Sequence, residues 1–268
     1  MEPNTCRSLD CRIGSSRVGF FLCLIVFLSS FDSISATEIP FQIGEKLEYS
    51  LKWGLIPVGS AKMEILPNRS YDGENCHAIS FSVRTNKFAD AFYKVRTSIL
   101  SLVSEDFDRS ILYSKNQQEG KTKKKITVNY DYEKSIAEYQ EGSEEPRFLN
   151  IDGKVFDPLA IAYLFRLKPL VEGGRTILPT CDGKRFREVV VETGKVQNVR
   201  VPFGNFKVVG TSPELKNLSG VFKKSPDGML QVWYSTDYRR IPIRISSKVV
   251  VGSFTASLVK ATGLRVKK

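Results

Sequence analysis

Apolar and polar residues alternate along most of this chain of 268 residues. Ala61, Met63 and Ile65, for example, are separated by Lys62 and Glu64. The same period-two pattern recurs at residues 79–83, 126–132, 241–245 and 254–258. Such alternation is typical of β-strands that have one face covered by a core. About a dozen such segments, separated by Asp-Gly and similar turn signals, predict a mainly β protein with a large antiparallel curved sheet or a β-barrel.

One segment departs from this alternation and predicts a helix. Asp157 and Pro158 are a favourable N-cap and first helical residue. Residues 159–167 are almost entirely apolar, and Pro169 ends the segment. A helix that is apolar nearly all round is buried on most sides. We therefore expect one buried helix at about 157–167, held inside the curved sheet.

The N-terminus has the features of a secretory signal peptide. Arginines precede an apolar run at residues 18–28, and small residues follow at 33–36. The run is shorter than the roughly 20 residues that span a bilayer, although an uncleaved anchor is an alternative. We predict a signal peptide at 1–36, a single β-rich domain at 37–268 without a transmembrane span, and a periplasmic or secreted protein that can associate peripherally with the envelope.

The charge of the chain favours anionic partners. Lys and Arg total 40 against 29 Asp and Glu, which gives a net charge of +11. Loss of residues 1–36 removes three basic and three acidic residues, so the charge stays at +11. This balance favours contact with an anionic envelope polymer, whereas secretion argues against a nucleic-acid partner.

Two cysteines, Cys76 and Cys181, lie beyond the predicted signal peptide. In an oxidising compartment they could form a disulfide. Two buried free thiols are the alternative, because the sequence does not give the distance between them.

Most familiar catalytic chemistry finds no support in the sequence. His77 is the single histidine, and its neighbours lack the spacing of metal ligands. No glycine loop for phosphate and no Gly-x-Ser-x-Gly elbow occurs. We therefore predict no catalytic residue, no metal and no cofactor.

Four polar residues are nevertheless candidates for a polar site, namely Glu45, Asp157, Asp237 and Arg240. Two carboxylates facing each other across a cleft could carry out glycoside chemistry. Each candidate also has a structural interpretation. Asp157 can cap the predicted helix, and Asp237 can form an ion pair with Arg240 that fixes a turn.

Large aromatic residues are the candidates for contact with an apolar ligand. The six residues are Trp53, Phe92, Tyr93, Tyr163, Phe165 and Trp233. Aromatic side chains bury large apolar areas both in protein cores and in binding sites, so an ordinary place in the core is the alternative for each.

Seven short motifs occur in a fixed order along the chain. They are residues 41–49 (FQIGEKLEY), 52–59 (KWGLIPVG), 90–96 (DAFYKVR), 156–159 (FDPL), 201–206 (VPFGNF), 231–243 (QVWYSTDYRRIPI) and 251–254 (VGSF). As a set they resemble a bacterial cell-envelope family, the domain of unknown function 3108, over about residues 40–262. The resemblance implies a secreted bacterial protein with an antiparallel β fold and no established activity. More distantly, the pattern is similar to periplasmic lipoprotein carriers, whose half-barrels wrap helices around an apolar cavity.

Three functions remain open at this point. The first is a non-catalytic binding module for an apolar or amphipathic envelope ligand such as a lipid or glycolipid. The second is an envelope assembly or structural partner that binds an anionic polymer, and the third is a glycan-acting enzyme that uses carboxylates. The apolar helix, the aromatic strands and the lack of catalytic motifs favour the first.

Overall fold

The computed structural model describes residues 39–213, 229–249 and 252–267. The predicted signal peptide at 1–36 lies outside this part of the chain. Among the helices of the described residues, none is long and apolar enough to cross a membrane.

Within the described residues, fourteen strands form one antiparallel sheet. The alternation seen in the sequence is the reason, because in β2 the apolar residues Ala61, Met63 and Ile65 are buried while their neighbours are not. The strands are β1 Lys46–Trp53, β2 Ile56–Tyr71, β3 Glu74–Thr85, β4 Val95–Ser104, β5 Ser110–Glu119, β6 Thr122–Asp131, β7 Ile136–Glu141, β8 Arg147–Asn150, β9 Arg175–Cys181, β10 Phe186–Val201, β11 Gly204–Pro213, β12 Met229–Ser235, β13 Pro242–Val249 and β14 Gly252–Thr262.

The order of the strands follows the chain in two runs. β1 to β8 pair consecutively, β9 to β14 pair consecutively, and β1 also pairs with β14. β8 and β9 are therefore the two edges of the sheet, and no ladder joins them. The prediction of a mainly β protein with a large antiparallel curved sheet is confirmed, and the sheet is open rather than a closed barrel.

Contacts near the two edges replace the missing ladder. Phe156, in the segment between β8 and the following helix, forms a parallel bridge with Thr180 of β9. The Tyr130 hydroxyl of β6 donates a hydrogen bond of 2.6 Å to the carbonyl oxygen of Cys181. These contacts tie the β6 side of the sheet to β9.

Gly183, in the turn between β9 and β10, allows a close approach between the two sides. Its φ of +82° is a left-handed conformation that favours glycine. A Cβ at this position would lie 2.5 Å from a methyl group of Val128 and 2.8 Å from the ring of Tyr139. Glycine is thus required here both for the turn and for packing against β6 and β7.

The helix α2 spans Pro158–Leu167 and lies within the curve of the sheet, as the sequence predicts. Leu159, Ala160 and Tyr163 belong to the largest hydrophobic cluster of the described residues. Strand residues of the same cluster include Leu47, Tyr49, Met63, Ile79, Ile243 and Leu258. Because these strands come from both runs, the helix joins the two halves of the sheet in one core.

A short helix, α1 (Lys87–Asp90), lies between β3 and β4 and was not expected from the sequence. A single turn contains too few residues to show a period of 3.6. Its N-cap is Asn86, whose side-chain oxygen accepts a hydrogen bond of 2.9 Å from the Ala89 amide.

Cys76 and Cys181 are both buried free thiols in the structure. Cys76 packs in a cluster with Ala78 and Leu102, whereas Cys181 packs in a different cluster with Val128 and Tyr139. The structure therefore contains no Cys76–Cys181 disulfide and has the alternative arrangement. Burial is the main cause that raises the pKa of each thiol, that of Cys181 to about 11.

Candidate functional site

A cleft of about 370 Å³ lies between α2 and the strands β9 to β13. Its walls are mostly apolar and come from five strands of the second run and from one side of the helix. The apolar lining residues are Pro158, Ile161, Ala162, Phe165, Val189, Val191, Pro213, Leu230, Val232 and Ile245. Volume and lining match those of small-molecule sites, which are concave and mainly apolar.

The helix and the strands supply this lining through their ordinary periodicities. On α2, Ile161 and Phe165 are four residues apart and share one face of the helix. On β10, Val189 and Val191 are two residues apart and share one face of the strand, and both are buried. The apolar wall thus follows from two regular patterns that meet across the cleft.

Polar groups are concentrated around the β9–β10 turn. Asp182, Arg185 and Arg187 line the cleft here, and both guanidinium groups belong to half-buried residues. The Asp182 carboxylate accepts a hydrogen bond of 2.9 Å from the Arg185 amide, which helps to fix the turn. One region of the cleft therefore carries positive charge beside an apolar interior.

An ion pair anchors α2 against the start of β1. The Arg166 guanidinium donates two hydrogen bonds to the Glu45 carboxylate, of 2.5 and 2.9 Å, and both side chains are buried. Its Nε donates to the carbonyl oxygen of Arg239 over 3.0 Å. Burial opposes the charge of Arg166, but the hydrogen bonds and charge of Glu45 prevail and raise its pKa.

Asp157 occupies the N-cap of α2, as predicted. Its carboxylate accepts hydrogen bonds from the amides of Leu159 and Ala160 and from the hydroxyls of Ser101 and Ser110, all between 2.6 and 3.0 Å. Burial raises the pKa of Asp157, and the four hydrogen bonds oppose that rise. The carboxylate is thus fully used in holding the helix to β4 and β5.

The expected ion pair between Asp237 and Arg240 is not formed, and that prediction is wrong. Asp237 instead pairs with Arg239 through hydrogen bonds of 2.6 and 3.0 Å. The turn gives Arg240 a φ of +43°, and its Nε donates to the carbonyl oxygen of Arg166 over 2.5 Å. Burial raises the pKa of Asp237, but the hydrogen bonds from Arg239 and Ser235 lower it by more, so the pKa is lowered overall.

None of the three candidate carboxylates, of Glu45, Asp157 and Asp237, is among the residues that line the cleft. Each is held by the structural partners described above. Among the described residues, no group of three His, Cys, Asp or Glu side chains could hold a metal ion.

The six aromatic candidates are divided among three places. Phe165 lines the cleft, whereas Tyr163 is fully buried in the main cluster with its ring 5.2 Å from that of Phe41. Trp233 also packs against the main cluster, because it alternates with the cleft residues Val232 and Tyr234 along β12. The remaining three, Trp53, Phe92 and Tyr93, are exposed at one end of the sheet.

Of the six aromatic candidates only Phe165 lines the cleft, so most of the cleft is not predicted by the aromatic residues. Its walls are made by aliphatic residues such as Ile161, Val191 and Val232. The signal that could have identified them was the alternation in β10 and β12, together with the face of α2 that carries Ile161 and Phe165. The positions of Arg185 and Arg187 beside that pattern could have suggested the polar region.

A second depression, of about 510 Å³, crosses the other face of β1 to β5. Its lining is mixed. The polar residues are Glu48, Ser60, Lys62, Ser82, Arg84, Arg96, Thr97, Ser98 and Asn116, and the others are Tyr49, Ala61, Val83 and Val259. On β2 and β3, Ser60, Lys62 and Ser82 alternate with core residues such as Ala61. It shares no lining residue with the apolar cleft and is thus a separate depression.

Fold and cleft together define a β-barrel-like protein whose open, curved antiparallel sheet wraps around one helix. The chain belongs to the family described as protein of unknown function DUF3108, whose sequence model matches residues 48–259. Among curated proteins, no sequence matches this chain.

A comparison with solved structures gave matches of low sequence identity. A β-barrel-like protein of domain of unknown function DUF1849 from Brucella abortus is 10% identical, with a TM-score of 0.52 over 82% of this chain and 98% of that one. A candidate exported protein with a YmcC-like fold from Bacteroides fragilis is 9% identical, with a TM-score of 0.36 over 84% of this chain and 98% of that one. At these identities the first likeness concerns the fold alone.

Proposed function

We propose that this protein binds an amphipathic lipid or glycolipid of the bacterial envelope in the cleft between α2 and β9 to β13. The observation that carries the proposal is the cleft itself, whose apolar walls meet positive charge at one region. Its volume of about 370 Å³ lies within the range of roughly 300–1,000 Å³ that small-molecule sites have. Each CH₂ group of an acyl chain that is buried there contributes about 0.8 kcal/mol.

Arg185 and Arg187 indicate the chemistry of the headgroup. Guanidinium groups bind phosphate and carboxylate through paired hydrogen bonds. Asp182 offsets part of their charge, so the region favours one anionic group rather than a polyanion. An anionic headgroup at the β9–β10 turn with an acyl chain along Val189 and Val191 is the arrangement that we propose.

The test compares two identical substitutions on opposite faces of β10. Val191→Trp fills the cleft, while Val190→Trp places the same side chain on the other face of the strand. Purified proteins are extracted with organic solvent and the extracts are analysed by mass spectrometry. We expect one lipid class to accompany the wild type and Val190→Trp and to be lost from Val191→Trp.

Two dyes separate the apolar and the charged contributions. 1-Anilinonaphthalene-8-sulfonate carries an anionic sulfonate, and N-phenyl-1-naphthylamine is its uncharged analogue. Arg185→Gln combined with Arg187→Gln should weaken binding of the first dye at least tenfold and leave binding of the second dye nearly unchanged. Absence of co-purified lipid together with equal dye binding by Val191→Trp and Val190→Trp would contradict the proposal.

A further inference from the structure

Large apolar side chains are exposed together at one end of the sheet. We call this group the hydrophobic rim, and it consists of Trp53, Leu55, Ile56, Phe88, Phe92 and Tyr93. Their exposed fractions run from 45% for Trp53 to 89% for Leu55. Single exposed apolar residues are ordinary, but a group of this kind marks a surface that contacts a membrane or another protein.

The rim is continuous because its segments are joined to one another. Asn86, at the start of α1, donates a hydrogen bond of 2.8 Å to the carbonyl oxygen of Pro57, just after the β1–β2 turn. The ring of Tyr93 packs directly against Gly120 in the β5–β6 turn. Trp53 stacks on Phe254 of β14, with 6.4 Å between the ring centroids. Three neighbouring connections thus form one surface.

The rim is also held in place by polar contacts behind it. The Arg96 guanidinium donates a hydrogen bond of 2.6 Å to the Asp90 carboxylate at the end of α1. Thr85 contacts the same carboxylate and accepts a hydrogen bond of 2.9 Å from the Val95 amide. The apolar side chains therefore stand on a fixed support.

Lysines flank this apolar group. Lys52, Lys87, Lys94 and Lys121 are all exposed, and they lie within two residues of the rim or in the β5–β6 turn that touches it. Of the nearby acids, Asp90 is neutralised by its ion pair with Arg96, and Glu119 remains. The surface as a whole is apolar in the middle and cationic around it.

We propose that the hydrophobic rim inserts into the interface of an anionic lipid bilayer. Trp, Tyr and Phe with neighbouring Lys are the residues favoured at membrane interfaces, and each Lys near an anionic surface adds to the attraction. A second copy of the chain is a poorer partner, because two cationic surfaces would face each other in a protein of net charge +11. The proposal does not depend on a ligand in the cleft.

The chain contains two tryptophans, so a variant that keeps one of them reports on a single position. Trp233→Phe leaves Trp53 as the sole indole, and Trp53→Phe leaves Trp233, which packs against the core. Vesicles of phosphatidylglycerol and phosphatidylcholine, with and without brominated acyl chains, are added to each. We expect the fluorescence emission of Trp53 to shift to the blue and to be quenched by the brominated chains, and the emission of Trp233 to change little.

Matched variants identify which surface binds. Leu55→Asp and Phe92→Asp should each weaken binding to the anionic vesicles at least tenfold. Val171→Asp, at a residue that is 69% exposed just before β9, should bind like the wild type. Because the variants do not differ at residues 18–28, that apolar run cannot account for a difference between them.

The lysines have their own control. One variant changes Lys87, Lys94 and Lys121 together to Gln. It should bind anionic vesicles more weakly and bind pure phosphatidylcholine vesicles almost as the wild type does. The control changes Lys168, Lys207 and Lys260 together to Gln and should have a smaller effect on both kinds of vesicle. The cleft variant Val191→Trp should still bind vesicles, which separates this proposal from the lipid-binding one. An unquenched Trp53, or a dimer that Leu55→Asp converts to a monomer without vesicles, would overturn the proposal.

Discussion

Arg166 combines full burial with a formal charge, and its surroundings explain how the fold tolerates it. Glu45 accepts two of its hydrogen bonds, and the Arg239 carbonyl accepts a third. The centres of the Phe41 and Tyr163 rings lie 4.9 and 5.4 Å from the guanidinium carbon. A buried charge that loses its partner destabilises a protein strongly, because nothing then compensates for its removal from water. The pair therefore fixes where the end of α2 meets β1.

Removal of the Glu45 charge should reveal this dependence. Glu45→Gln keeps the size of the side chain but leaves the Arg166 charge without compensation, and we expect a loss of about 3 kcal/mol in the free energy of unfolding. Glu64→Gln is the matched control, because Glu64 pairs with Lys46 and Lys62 near the surface. Such a pair contributes about 1 kcal/mol or less. Urea unfolding measures both variants, and equal losses would contradict the argument.

At the scale of elements, α2 determines both the core and the cleft. Its Leu159 side packs in the main cluster, while its Ile161 side lines the cleft. Asp157 sets where the helix begins and also binds two serines of the sheet. A change at this cap should therefore affect the helix and its attachment together.

Asp157→Ala should destabilise the protein by about 2 kcal/mol or more. Loss of an N-cap alone costs about 1 kcal/mol, and the hydroxyls of Ser101 and Ser110 would lose a buried acceptor. Asp152→Ala, at an exposed position in the same connection, is the control and should change the stability little. A helix-sensitive circular dichroism signal followed during urea unfolding gives both values. A stability equal to that of Asp152→Ala would show that the cap is dispensable.

The strands and the helix could be predicted from regular patterns in the sequence, whereas the contacts between these elements could not. The alternation in β2 and the Asp157-Pro158 start of α2 act over a few residues, so the sequence contains them directly. The cleft depends on β10 and β12 facing α2 across the sheet. Whether Trp233 or Val232 faces the cleft is decided by the phase of one strand, and a shift of one residue reverses it. The partner of Asp237 likewise depended on the turn geometry at Arg240.

At the scale of the whole molecule, the sheet is held together where it lacks a ladder. Glu141, at the end of β7, accepts hydrogen bonds from Lys124 and from the Tyr139 hydroxyl. Its other contact crosses the gap, since Lys184 of the β9–β10 turn donates to it over 3.2 Å. Lys184 also lies 4.6 Å from the centre of the Tyr139 ring. Glu141 thus links the two runs of strands next to the polar region of the cleft.

The stability that Glu141 contributes should disappear in acid. The hydrogen bond from Lys124 is the largest cause that lowers its pKa to about 2, with further contributions from Tyr139 and Lys184. In the unfolded chain a glutamate has a pKa of about 4.3. A carboxyl whose pKa is lowered by folding stabilises the protein above the unfolded value, and it loses this effect as the pH falls through the folded value.

Melting temperatures of the wild type and Glu141→Gln, measured from pH 7 to pH 2, test this. Because the lysines are partly exposed, we expect a difference of about 1 kcal/mol at pH 6, or about 2–4 °C, which shrinks between about pH 4.5 and pH 2. Glu144→Gln is the control, since its exposed pair with Arg147 lies within one turn and joins no distant strands. If the melting temperatures of the two variants changed with pH in the same way, the contact of Glu141 with Lys184 would not stabilise the open side of the sheet.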